Sequence, residues 1–450
     1  MKVALVRPPQ VHPYWATKRP SLGISYLASF LISKGLESHI FDANFNSWTA
    51  EELVSRVKGY RPDLIGISAM THEIVETNQL AGLLKKKLPH VPVVIGGCHM
   101  TALPQQTLID FPNFDFGIYR EGEKPLLALV KYWQKKTHKI GNIPNLVYRN
   151  KSGKIKINPE GPWLTAEELD QLPYPEYRSY QPLSNYPMMS SRGCPYQCAF
   201  CMQVLGHQLR RRSPENIVAE MEYAIKRFGV KEIQFCDEIF LFNDSQTRKT
   251  LNLMIKKGLP QKIRWNALTR ANQVEKDLIE LAKKAGCYAL DLGVESGSDK
   301  ILKRINKQIT VAQAKKAVRI IKKAGITTFA YFILGHPGET VKTIRQTINL
   351  VVELNTDQVA AGLMVPYPGT KIWEMAQKGE YGYRLLSQDF SRYDKYGGGA
   401  LESKALPLKE LEKWQRRLFL EFYLRNGRFQ DLARFLFVHR KEISRLVLKK

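Results

Sequence analysis

The chain has 450 residues, 44% of them hydrophobic and 24% charged, with 68 Lys and Arg against 42 Asp and Glu for a formal net charge of +26. That composition excludes a disordered chain, and the length excludes one ordinary core, so two domains and a tail are expected. No run of about 18 apolar residues is present to cross a membrane, and six unevenly spread cysteines are not a secreted disulfide framework. The apolar run at residues 3–6 is too short for a signal peptide. A reducing, cytoplasmic compartment is therefore expected. The basic excess attracts phosphate, in nucleic acid, lipid headgroup or substrate, unless it belongs to solvated lysine-rich faces.

Residues 1–136 alternate short apolar strands with amphipathic helices. Strands are expected at 3–7, 37–42, 64–69, 93–96 and 114–119, and helices at 23–34, 50–60, 73–88 and 103–110. This α/β alternation predicts a doubly wound parallel sheet, Rossmann-like or flavodoxin-like, with ligands at the carboxyl ends of its strands. Those ends carry Pro8 and Pro9, Ser68 and Thr71, Gly96-Gly97-Cys98-His99, and Glu121-Gly122-Glu123. Gly96 and Gly97 let a ligand approach the backbone closely, or simply make a tight turn.

Residues 137–184 read as a connector. A small hairpin is expected over 147–156, turning at Lys151-Ser152-Gly153, and Pro159, Pro162, Pro173, Pro175 and Pro182 forbid a long helix. From 185 to 380 strand and helix alternate again. Strands are expected at 186–190, 232–236, 264–268, 289–294, 327–334 and 358–364, with helices at 214–228, 244–257, 276–285, 311–324 and 341–354. Six parallel strands with their helices predict a partial (β/α)6 barrel whose chemistry lies at the strands' carboxyl ends.

On the loop after the first of these strands stand Cys194, Cys198 and Cys201, three of the six cysteines. A four-iron cubane cluster bound by three thiolates keeps one iron open. Zinc is the alternative for clustered cysteines, but it prefers four ligands, and Cys98, Cys236 and Cys287 are scattered.

The spacing C-x3-C-x2-C, with Phe200 just before the last cysteine, resembles the cluster loop of the radical S-adenosylmethionine (SAM) enzymes. Further landmarks follow in the order of that family. The resemblance implies SAM contacts at Phe200, at Asp237 and Glu238 for the methionine amino group, at Arg270, and at Glu295 and Ser296 for ribose and polar groups. Gly335-His336-Pro337-Gly338-Glu339-Thr340 looks like the turn near adenine, and Pro366-Tyr367-Pro368-Gly369-Thr370 closes the sixth strand. Upstream, Leu22-Gly23-Ile24-Ser25-Tyr26-Leu27-Ala28, Gly96-Gly97-Cys98-His99 and Gly117 to Glu123 resemble the cobalamin-binding domain that precedes the radical core in one large subfamily. That implies cobalamin contacts at Pro9, Gly23, Ser68, Thr71, Gly96, Gly97, His99, Glu121, Gly122 and Glu123. One departure is visible: the D-x-H-x-x-G motif would begin at Asp42, but Asn44 and Ser47 replace its histidine and glycine.

The resemblance implies a 4Fe–4S cluster, SAM and cobalamin as cofactors, an electron donor such as ferredoxin or flavodoxin, and a small-molecule or lipid-like substrate. The activity it implies is methyl transfer to an unactivated carbon or to phosphorus, after reductive cleavage of SAM. Cyclisation or ring rearrangement without methyl transfer is the alternative among enzymes, and a sensory cobalamin protein the alternative outside them.

Residues 381–450 form a basic helical tail, with 13 Lys or Arg against five Asp or Glu over 403–450. Leu411, Trp414, Leu418 and Phe422, then Leu432, Phe435 and Leu436, fall at helical spacing. Such helices cap the barrel, lie on the inner face of an anionic membrane, or grip a phosphorylated substrate, and apolar stripes most often face a core. Nucleic acid is disfavoured, because no base-stacking or groove-reading motif accompanies the charge.

Overall fold

The computed structural model describes residues 1–10, 18–134, 139–396 and 399–438. Strand β1 (Lys2–Arg7) has Val3 to Val6 buried on both faces, as the interior strand of a covered parallel sheet must. With β2 (Glu37–Asp42), β3 (Leu64–Ser68), β4 (Val93–Gly96) and β5 (Phe116–Ile118) it forms a parallel sheet in the order β2-β1-β3-β4-β5. That is the flavodoxin-like order, with its crevice where the winding reverses, outside the carboxyl ends of β1 and β3.

The expected hairpin exists as β6 (Leu146–Arg149) and β7 (Ile155–Ile157), but it is not confined to a connector. It pairs antiparallel onto β5 and makes the first sheet seven-stranded, so that sheet runs on past residue 136 to Ile157. The reason is an unpaired edge: β5 offers open N–H and C=O groups that the hairpin satisfies. The rest of the connector is a wedge. Tyr177, Tyr180 and Tyr186 are wholly buried with their rings edge to face. The Tyr180 hydroxyl donates to Asp42 Oδ2 at 3.1 Å, and the Tyr177 hydroxyl to the Pro187 carbonyl at 2.8 Å. One apolar core thereby runs from Val3 and Leu5 through these tyrosines into the second sheet.

The second sheet joins β8 (Tyr186–Met188), β11 (Glu232–Phe235), β12 (Arg264–Thr269), β13 (Cys287–Glu295), β14 (Thr327–Leu334) and β15 (Gln358–Leu363). All are parallel and each lies beside its successor, which is an open six-stranded barrel. Its outward side chains, such as Trp265, Ala267, Leu290 and Leu292, are buried under the helices. Between β8 and β11, β9 (Ser191–Arg192) pairs antiparallel with β10 (Arg210–Arg211), and this two-rung ladder is the neck of the cysteine loop.

The tail caps the barrel. Helix Leu408–Arg425 buries Leu411, Trp414, Leu418 and Phe422, and its Gln415 Nε2 donates to the Ala361 carbonyl on β15 at 2.7 Å. In helix Phe429–Val438, Phe435 stacks on Phe419 while Leu436 is exposed. The last basic residues, 439–450, lie outside the described residues. Among the described residues no helix is long and apolar enough to cross a membrane.

Candidate functional site

The cysteine loop is built by its neck. Asp237, just beyond β11, accepts from the Ser190 N–H at 3.1 Å, the Ser190 hydroxyl at 2.8 Å and the Ser191 hydroxyl at 2.5 Å. Burial raises its pKa, opposed by these bonds. Asp237 therefore holds the strand that launches the loop. Gly193 follows at φ +89°, where a Cβ would stand 2.2 Å from the Gln208 carbonyl oxygen, so only glycine fits the crossing of the neck. The Cys194 N–H donates to the Gly206 carbonyl at 3.1 Å and the Ala199 N–H to the Ile305 carbonyl at 2.9 Å, pinning the loop to the barrel.

All three cysteines border a cavity of about 510 Å³ at the mouth of the barrel, together with Phe200, Glu238, Arg270 and Glu295. Four of the six expected SAM contacts thus meet the thiols. Asp237 and Ser296 do not border this cavity: Asp237 is spent on the neck, and buried Ser296 lies within hydrogen-bonding distance of the Thr347 hydroxyl at 3.3 Å. Burial pushes the Cys201 thiol up to about 11 and also raises Cys194. Metal coordination is what converts such thiols to thiolates. Arg270 assists, its guanidinium 3.6 Å from the centre of the Tyr196 ring and its Nη1 donating to Cys198 Sγ at 3.6 Å.

Glu238 brings to this cavity a buried Oε2 without a hydrogen-bond partner among the described residues, and burial raises its pKa. An orphaned buried carboxylate oxygen suits a cationic ligand group, such as an amino acid's ammonium. Glu295, at φ +70°, pairs with Lys307 at 2.8 Å. A Cβ on Gly293 would crowd both, 2.5 Å from Glu295 Oε1 and 2.8 Å from Lys307 Nζ. Lys307 was not among the expected site residues, and nothing at its place in the sequence signals it.

A second cavity, of about 190 Å³, opens at the carboxyl ends of β1, β3, β4 and β5. Gly23, Ser68, Gly96, Gly97, Glu121, Gly122 and Glu123 border it, as expected of cobalamin contacts. A Cβ on Gly23 would meet nothing within 4 Å among the described residues, so this glycine leaves space in an apolar cradle for part of a large ligand. Pro9, Thr71 and His99 do not border it. His99 is wholly buried, with Phe390 at 4.7 Å and Phe111 at 5.9 Å between ring centroids, and burial pushes it down to about 4. Asp42 caps the short helix Ala43–Asn46 by accepting from the Phe45 N–H at 2.9 Å, which leaves Asn44 buried where the motif would present histidine.

Glu121 and Glu123 are also committed to an ion-pair network. Arg192 donates to Glu121 at 3.0 Å and to Glu123 at 2.6 Å, and Arg210 donates to Glu121 at 2.9 Å, all four side chains being at most 8% exposed. Both arginines belong to the neck, so the first domain grips the cysteine loop directly. Arg192 and Leu205, on the two sides of that loop, border the smaller cavity, while its cysteines border the larger one. One loop is the wall between the two.

The chain matches the radical SAM superfamily over residues 188–351 and the B12 binding domain over residues 16–130. An uncharacterized methyltransferase of Pyrococcus horikoshii is 31% identical over 439 residues, covering 94% of this chain and 93% of the relative. An anaerobic magnesium-protoporphyrin IX monomethyl ester cyclase of Cereibacter sphaeroides is 27% identical, covering 91% of this chain and 68% of the relative. The fold is shared with TsrM from Kitasatospora setae, a radical SAM methyltransferase solved with cobalamin and a 4Fe–4S cluster bound. The TM-score is 0.76 at 17% identity, covering 93% of this chain and 88% of that one.

Proposed function

This chain belongs to the radical SAM superfamily, in the branch that carries a B12-binding domain, and from that premise we propose that it is a methyltransferase. The methyl group goes, by way of cobalamin, to an unactivated carbon or a phosphorus centre of a small molecule. The observation that carries this reading is the shared wall: the cysteine loop borders the barrel cavity with its thiols and the cobalamin-domain cavity with Arg192 and Leu205.

Cys194, Cys198 and Cys201 would hold the 4Fe–4S cluster; Phe200, Glu238, Arg270 and Glu295 would hold SAM; and Gly23, Ser68, Gly96, Gly97 and Gly122 would line the cobalamin site. When bound, the cluster supplies the electron that cleaves SAM and cobalamin carries the methyl group. The chain's own contribution is position and exclusion of water. Glu238 offers a buried carboxylate to the amino group of SAM. Arg270 secures the loop, and the Arg192–Glu121–Glu123 network fixes the distance between the two sites. Electrons come from an external reductant such as ferredoxin or flavodoxin.

The Cereibacter relative makes oxidative cyclisation the second reading. Reduced holoenzyme incubated with methyl-labelled SAM and a small-molecule extract of the source cells separates the two. Methyl transfer predicts label in one extract component, whereas loss of hydrogen from a component that takes no label would establish the cyclase.

A further inference from the structure

The cysteine loop has a third side besides the two that border cavities. Its thiols face the barrel cavity, and Arg192 and Leu205 face the cavity of the first domain. Between them the apex, Pro195-Tyr196-Gln197, carries Pro195 and Gln197 exposed to solvent. Gln197 directly precedes Cys198, whose Sγ accepts from Arg270 Nη1 at 3.6 Å, and the Arg270 guanidinium lies on the Tyr196 ring. The apex is the side on which another protein can come close to the cysteines.

The apex is fastened to a basic rim. Asn306 Nδ2 donates to the Gln197 carbonyl at 2.9 Å, and the Asn306 N–H donates to the Lys303 carbonyl at 3.1 Å, which ties the end of helix Asp299–Arg304 to the loop. The Ile372 N–H donates to the Ala199 carbonyl at 3.1 Å and brings the neighbouring Lys371 to the loop as well. Residues 189–213, which contain the loop, have no Asp or Glu, and residues 300–338 have nine Lys or Arg and again no Asp or Glu. Several of these cations are engaged within the chain: Arg304 Nη1 donates to the Pro337 carbonyl at 3.0 Å, Lys307 pairs with Glu295, Lys315 with Glu353 at 2.7 Å and Lys316 with Glu275 at 3.2 Å. Lys300, Lys303 and Lys371 are exposed, and among the described residues none of the three is ion-paired. The carboxylates nearest to them in sequence are Asp299, which accepts from the Val311 N–H at 2.7 Å, and Glu374, three residues beyond Lys371. Encounters between electron-transfer proteins use surfaces of this kind, where opposite charge steers the approach and a small contact lets the partners part again.

We propose that this rim, Pro195 and Gln197 with Lys300, Lys303 and Lys371, is the docking surface for an acidic one-electron carrier protein, which delivers its electron through the apex to the cluster held by the three cysteines. One electron leaves the reduced carrier, which is thereby oxidised, and no bond forms or breaks at the rim. This rests on the reading of the cysteine loop as a cluster site and deepens it by placing the reductant. It is independent of whether the substrate is methylated or cyclised.

The test is stopped-flow absorbance of anaerobic, cluster-loaded holoenzyme at low salt. Cluster reduction is followed with reduced ferredoxin, with reduced flavodoxin and with reduced methyl viologen, a small cation that needs no docking surface. The quantity read is the ratio of carrier rate to viologen rate in one preparation, so that partial loss of cluster cancels. Steered association gains roughly tenfold to a thousandfold in rate, so Lys300→Glu/Lys303→Glu is expected to lower the ratio about tenfold or more for at least one carrier. Lys300→Arg/Lys303→Arg keeps the ratio, added salt lowers it in the wild type, and Lys58→Glu, on the exposed face of helix Ala50–Tyr60 in the first domain, leaves it unchanged. The carrier whose ratio falls further is the one that fits the rim. The proposal is overturned if neither carrier reduces a cluster that viologen reduces, if Lys300→Glu/Lys303→Glu leaves both ratios unchanged, or if Lys58→Glu lowers them as much. Iron and sulfide content of the same preparation reports on the cluster reading by itself, so the two can fail separately.

Discussion

Replacing Arg192 by methionine should weaken the grip between the two domains more than any surface ion pair would. The guanidinium bonds Glu121 at 3.0 Å and Glu123 at 2.6 Å, with 8% of its own side chain exposed and 7% and 4% of theirs. Glu121 keeps Arg210 at 2.9 Å and the Leu164 N–H at 2.8 Å, but Glu123 loses the cation that bonds it. The loss is therefore mostly that of an unpaired buried carboxylate, about 3–5 kcal/mol. Burial alone would raise the pKa of Glu123, but the charge and hydrogen bond of Arg192 overturn this and hold it below the usual 4.5. In the wild type this pair contributes stability that is present above pH 4.5 and lost as pH falls through the lowered folded value. In the variant, only the backbone hydrogen bond of Glu123 and the charge of Arg210 still oppose burial, so the folded value rises, and the deficit should be greatest at neutral pH and shrink as Glu123 takes up a proton. Urea unfolding at several pH values, with the Arg192→Met/Glu123→Gln pair completing a double-mutant cycle, measures both effects. The double variant should recover much of the single variant's loss. A deficit under about 1 kcal/mol for Arg192→Met, or one that does not change with pH, would refute the reasoning.

Four further outcomes are expected. Gly193→Ala would drive a Cβ to 2.2 Å from the Gln208 carbonyl oxygen, so iron and sulfide content after reconstitution should collapse while cobalamin binding persists. Glu238→Gln removes the orphaned carboxylate, and SAM affinity by equilibrium dialysis should fall about tenfold. Glu339 is pushed up to about 7 by burial, although it accepts from the Gly335 N–H at 2.5 Å and the His336 N–H at 3.2 Å. Its raised value means the wild type should lose up to about 3 kcal/mol of stability as pH rises from 4.5 toward 7, and Glu339→Gln should flatten that slope in urea titrations. Phe422→Ala empties a wholly buried site under the tail helix and should cost about 3–5 kcal/mol, read as protease cleavage within 408–425 at lower urea than the wild type needs.

The elements best read from sequence are those whose ends carry their own chemistry. Helix Pro214–Phe228 begins at a Ser213 cap with proline in its first turn and stops at Gly229 in the left-handed conformation. Helix Ala50–Tyr60 has its Thr49–Glu52 capping box, and Val341–Leu354 starts at the Thr340 cap. The cysteine loop was legible for the same reason, since its three cysteines lie within eight residues. Long-range pairing was not legible. Nothing local says that the Lys151-Ser152-Gly153 hairpin completes the first sheet, or that Glu121 and Glu123 answer arginines 69 to 89 residues away. Asp237 and Ser296 have the residue types of ligand contacts, and only the folded neck and the Thr347 contact show them otherwise engaged. That Lys395 and Tyr396 border the barrel cavity was invisible, because their place depends on a segment returning over the mouth from beyond the last strand of the barrel.

The central claim is that a single loop separates the iron–sulfur cluster from cobalamin, held there by arginines from its own neck. Electron paramagnetic resonance of the anaerobic holoenzyme tests it directly, with the cluster reduced and cobalamin in its paramagnetic cobalt(II) state. Cofactors on the two sides of one loop predict spin–spin broadening of both signals that disappears when either is made diamagnetic. Two sharp, mutually indifferent signals from a preparation holding both cofactors would contradict the account.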